Sequence, residues 1–151
     1  MGGFVRSMKI LVSACLLGRK CKYNGGDNLT PAVVEFCHGK DVVPVCPEME
    51  AGMPCPRVPV EICRGRIVDR DGNDLDGIYR NGVARVMESI KGGKIDLAIL
   101  KSRSPTCGVH EIYDGTFSEK RIKGKGLLTK ELRRNQIPVV DEEDKMFGGV
   151  D

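Results

Sequence analysis

Short apolar runs alternating with helix-forming stretches constrain this chain more than any other feature. Met8 to Ala14 (MKILVSA) sets Ile10, Leu11 and Val12 in succession, the pattern of a strand covered on both faces. Asp41 to Val45 (DVVPV), Ile95 to Leu100 (IDLAIL) and Ile137 to Val140 (IPVV) repeat it, with Pro44 marking a strand end or an unpaired backbone position. Between the runs lie helices. Thr30 as N-cap and Pro31 at the first helical position open one that Gly39 ends. Tyr79, Val83, Val86, Met87 and Ile90 recur at helical spacing from Ile78 to Lys91, and Leu127 to Asn135 forms a third, shorter helix. This alternation predicts an α/β fold: a single Rossmann-like domain with a mainly parallel sheet, helices on its faces and an inserted loop and hairpin region.

The insert is Pro47 to Gly77, rich in proline, glycine and charge and read without helix. Within it Val58 to Cys63 and Arg66 to Asp69 flank Arg64-Gly65 as a hairpin. Asp69, Asp71, Asp74 and Asp76 resemble a calcium loop but lack its twelfth-position glutamate, so a solvated turn is expected. A second ribbon is expected from Val109 to Gly126, around Asp114-Gly115.

At 151 residues the chain fits one domain. Its 24 basic and 21 acidic residues are scattered, without the basic runs of nucleic-acid binders, so no strong nucleic-acid signal is present. Met1 to Met8 does not read as a signal peptide, and Met8 is an alternative start. No apolar segment approaches the roughly 18 residues of a membrane span, so a cytoplasmic protein is expected.

Seven cysteines in a reducing compartment point to ligation or nucleophilic chemistry, not to disulfides. Cys15 and Cys46 directly follow the first and second strands, and Cys107 lies in the loop leaving the third. In open parallel sheets that edge is where ligands bind. The sequence has no CxxC pair of the kind common in structural zinc sites. Spacing leaves three readings: an iron-sulfur cluster with one open iron, zinc, or buried inert thiols. Cys37, beside Phe36, reads as core, and Cys55 and Cys63 as structural. Cys21 and His110 are near enough to the ligand positions to take part, while His38 reads as a solvated cation after a helix end.

The motifs SACLLG (13–18), KYNGG (22–26), PVCPEMEAGMPCPRVPVE (44–61) and KSRSPTCG (101–108), with DGNDLDG and IPVV, resemble the DUF523 family, which includes thiouracil desulfurases. The resemblance implies a Rossmann-like domain over residues 8–143, with 1–7 an N-terminal extension and 144–151 a C-terminal tail. It implies an oxygen-sensitive 4Fe-4S cluster on Cys15, Cys46 and Cys107, and removal of sulfur from a small thiolated pyrimidine such as 2-thiouracil to give uracil and hydrosulfide. The thiocarbonyl sulfur would bind the open fourth iron. The catalytic acid residue falls at Glu48, and the site serine at Ser104 or, second, Ser102. Free base, nucleoside and other thio-heterocycles all fit as substrate. Cys21 stands where the family commonly has another residue, which leaves a different ligand arrangement open. The alternative is a non-catalytic zinc or iron-sulfur protein serving as redox sensor or sulfur carrier.

Overall fold

The computed structural model describes residues 7–148; the extension 1–7, Ser7 excepted, and the end of the 144–151 tail lie outside the described residues. The chain runs β1 (Lys9–Ser13), α1 (Pro31–Cys37), β2 (Asp41–Val45), α2 (Pro47–Glu50), β3 (Val60–Cys63), β4 (Arg66–Asp69), α3 (Asp76–Ile90), β5 (Leu97–Leu100), β6 (Glu111–Tyr113), β7 (Arg121–Lys123), α4 (Leu127–Arg134) and β8 (Val139–Asp141). Two 3-10 turns, Ala14–Leu17 and Lys145–Phe147, complete it.

β2, β1, β5 and β8 form one parallel sheet in that spatial order. Strand periodicity of two divides its core. Leu11, Ala98 and Leu100 face Tyr79, Val83 and Val86 of α3 and Leu128 and Leu132 of α4. Ile10, Val12 and Ile99 face Val33 and Cys37 of α1. Both faces are covered, which is why the strands read as unbroken apolar runs. Pro44 lies inside β2, opposite Val12; β2 is an edge strand, so its missing donor breaks no ladder on the outer side. Phe147 closes the α1 face edge-on against Phe36, with ring centroids 5.6 Å apart.

The inserted hairpin forms as β3 and β4, with Arg64 and Gly65 at positive φ in the turn. β6 and β7 form the second ribbon. Three local expectations are corrected. Thr30 does not cap α1 with its side chain; its hydroxyl donates to the Asn28 carbonyl at 2.9 Å. The insert is not helix-free, because Pro47–Glu50 makes one turn of helix directly after Cys46. Asp76 is no solvated turn residue: it is 3% exposed, accepts from Ile67 N–H at 3.0 Å and from Arg80 Nε at 2.6 Å, and so ties β4 to the start of α3. Asp69 behaves as expected of a turn, accepting from the Asp71 and Asn73 amides. Among the described residues no helix is long and apolar enough to cross a membrane.

α2 rests on α3 through Gly82. A Cβ there would sit 2.1 Å from the Pro47 carbonyl oxygen and 2.8 Å from the Ala51 Cβ. The obstacle is backbone, so Gly82→Ala is expected to destabilise the fold by about 3 kcal/mol or more and to push the Cys46-Pro47-Glu48 turn outward. Chemical denaturation, together with the exposure of the Cys46 thiol to an alkylating reagent, measures both effects.

Candidate active site

Three strand ends each deliver one cysteine. Cys15 lies in the 3-10 turn that follows β1, and its carbonyl accepts from Gly18 and Asn28 amides. Cys46 is the N-cap of α2, at the end of β2. Cys107 is 4% exposed in the loop after β5. That loop is braced by α4, where Thr129 Oγ1 donates to the Cys107 carbonyl at 3.0 Å and Leu128 N–H donates to the Thr106 carbonyl at 2.8 Å. Gly126 permits the approach, since a Cβ there would lie 2.5 Å from the Thr106 oxygen.

All three thiols line one cavity of about 490 Å³, with Cys21, Glu48, Ser102 and Ser104. A larger groove of about 910 Å³ between α3 and α4 contains no cysteine. Among the described residues no three cysteine sulfurs lie mutually within 4.8 Å. One tetrahedral zinc ion, with bonds near 2.3 Å, would draw its sulfurs to about 3.8 Å from one another.

Burial dominates the thiol electrostatics. It raises Cys15, against a hydrogen bond from Asn28 that lowers it, and it pushes Cys107 up to about 12, against hydrogen bonds from Ser13 and Thr106. Cys46 and Cys21 face each other and share a proton that Cys46 holds. Cys46 is raised chiefly by that hydrogen bond and then by burial, and Cys21 is lowered by it to about 7. In the metal-free protein the three thiols are therefore neutral at pH 7.

A family profile for 2-thiouracil desulfurase matches residues 10–144, most of the chain. The chain belongs to the 2-thiouracil desulfurase family. It is 35% identical to the Bacillus subtilis (strain 168) protein YbbK, itself described as uncharacterized, across 89% of this chain and 96% of that one. It superposes on the solved structure of a [4Fe-4S]-dependent thiouracil desulfidase, TudS (DUF523Vcz), with a TM-score of 0.83 and 33% identity over 89% of this chain and 91% of that chain. The cavity thus lies at the carboxyl edge of a desulfurase sheet.

On this desulfurase scaffold the two serines part company. Arg103 between them takes φ 64° and is held by Glu143 at 2.7 and 2.6 Å. Ser102 is 4% exposed, donates to Glu142 Oε2 at 2.9 Å and accepts from Lys101 Nζ at 2.8 Å. Ser104 turns toward Cys107 and accepts from the Cys107 and Thr106 amides at 3.0 and 3.1 Å. Glu48 stands between the second and third cysteines, with Oε2 3.5 Å from Cys46 Sγ and Oε1 accepting from Thr106 Oγ1 at 2.7 Å.

Thr106 was missed by the sequence reading; its place directly before Cys107 in SPTCG was the available signal. His110 does not line the cavity and bonds Asp144 at 2.9 Å, with Asp141 nearby. Cys55 stands outside the lining as well; its sulfur lies 3.3 and 3.1 Å from the Lys20 and Lys22 carbonyls and so braces the loop carrying Cys21. Cys37 packs in the α1 core, and Cys63 lies in β3.

Proposed function

We propose that this chain removes sulfur from thiolated pyrimidines such as 2-thiouracil by a non-redox, formally hydrolytic route, using a [4Fe-4S] cluster on Cys15, Cys46 and Cys107. The observation that carries the reading is the convergence of three separately delivered thiols and one carboxylate on a single cavity. The donor set fits the group: three soft thiolates line one cavity. When bound, a cluster held on three cysteines supplies an open iron that acts as Lewis acid toward the thiocarbonyl sulfur.

The protein supplies the rest. Glu48 takes a proton from water beside the thiocarbonyl carbon, and the oxygen adds to that carbon as the C=S bond opens. Collapse of the tetrahedral adduct restores C=O and expels the sulfur as hydrosulfide. Atoms balance as thiouracil plus water giving uracil plus hydrogen sulfide, with no change in oxidation state. Ser104, and not Ser102, is the site serine on this reading, because its hydroxyl reaches Glu48 through Thr106 whereas that of Ser102 is turned to Glu142 and Lys101. All seven cysteines are free, in keeping with a reducing, cytoplasmic location.

Anaerobic purification is expected to yield brown protein absorbing at about 400 nm and bleaching in air. It should release sulfide and uracil from 2-thiouracil in equal amounts. A colourless protein holding one zinc and releasing no sulfide would sink the reading.

A further inference from the structure

Hydrogen-bond directions around Thr106 assign it a task that neither the motif nor the cysteine geometry suggests. Thr106 is fully buried, and its hydroxyl has one proton. That proton goes to Glu48 Oε1 at 2.7 Å, the shortest bond Thr106 makes, while Cys107 Sγ is 3.7 Å away. Ser104 Oγ lies 3.0 Å from Thr106 Oγ1. With the threonine proton spent on the carboxylate, the serine must be the donor of that pair. Two backbone N–H groups, of Thr106 and Cys107, already fill the acceptor side of Ser104. The chain of hydroxyls therefore runs one way, from Ser104 through Thr106 into Glu48.

This polarity separates the two oxygens of Glu48. Oε1 is committed to Thr106. Among the described residues Oε2 has a single hydrogen-bond partner, the Cys46 sulfur at 3.5 Å, a longer and weaker contact than the one Oε1 makes. Resting on the cluster-dependent reading above, we propose that Thr106 is a positioning residue that links Ser104 to Glu48 and reserves Glu48 Oε2 for the proton of the reacting water. Thr106 touches neither substrate nor water. It acts by holding the carboxylate in one rotamer, so that the free oxygen is aimed before substrate arrives.

Thr106→Val keeps the shape and deletes the hydroxyl, whereas Thr106→Ser keeps the hydroxyl. In anaerobically reconstituted enzyme of equal iron content, Thr106→Val is expected to lower kcat by about 10- to 100-fold with KM unchanged within about twofold. Thr106→Ser is expected to return kcat to within about threefold of the parent. Adding Ser104→Ala to Thr106→Val should cost little more than the larger single change, because the serine acts through the threonine. In protein labelled with ¹³C at glutamate carboxylates, a Glu48 stretch identified by its loss in Glu48→Gln should shift in Thr106→Val and not in Thr106→Ser. Parent kcat in Thr106→Val at full iron content overturns the proposal, as does a Thr106→Ser enzyme as slow as Thr106→Val. A parent enzyme that releases no sulfide overturns the functional reading itself, a result distinct from either.

Discussion

Alanine in place of Cys15, Cys46 or Cys107 is expected to leave a folded protein that loads little iron and releases no measurable sulfide from 2-thiouracil. Each thiol comes from a different strand end. Cys21 is the one further thiol lining the cavity, and it is hydrogen-bonded to the Cys46 thiol. Iron and acid-labile sulfide contents after anaerobic reconstitution, read beside sulfide release, measure the effect. A Cys107→Ala protein with full iron content and parental activity would remove that residue from the ligand set.

Loading should also depend on pH, with a sign that the thiols determine. Cys15, Cys46 and Cys107 all lie above the ordinary thiol value of 9.0, so ligation must displace their protons and weakens as pH falls. The metal-free fold behaves in the opposite sense. A thiol whose pKa is raised by folding adds stability that is present below the unfolded value and is lost as pH rises toward the folded one, about 12 for Cys107. Metal-free protein is thus expected to weaken from about pH 9 upward.

Glu48→Gln carries the second large effect. Glutamine preserves the acceptor for the Thr106 hydroxyl and the packing of α2 on α3, but it removes the base. Iron content should match the parent while uracil formation falls by about 10²- to 10⁴-fold. Cluster absorbance and single-turnover sulfide release separate loss of chemistry from loss of cofactor. Undiminished turnover would take Glu48 out of the mechanism.

Much of this site was legible in the chain before folding was considered. A strand covered on both faces leaves an unbroken apolar run, and Cys15 and Cys46 follow such runs closely enough for their shared edge to be read. Glu48 was legible because it sits two residues from Cys46 in one motif. The one-turn helix α2 was not, since four residues carry no helical period and its support is Gly82 on α3. Nor was the buried role of Asp76, which depends on Ile67 and Arg80 arriving from separate elements.

The parallel α/β architecture, the placing of Cys15 and Cys46 at one sheet edge and the family are thus properties of the sequence alone, because periodicity and short motifs are local along the chain. Tertiary structure decided the rest. It turned Ser102 to Glu142 and Ser104 to Cys107, sent His110 to Asp144 and outside the cavity lining, and seated Thr106 on a carboxylate 58 positions away. Hydrogen-bond direction depends on which donors and acceptors meet in space, and no spacing along the chain records that.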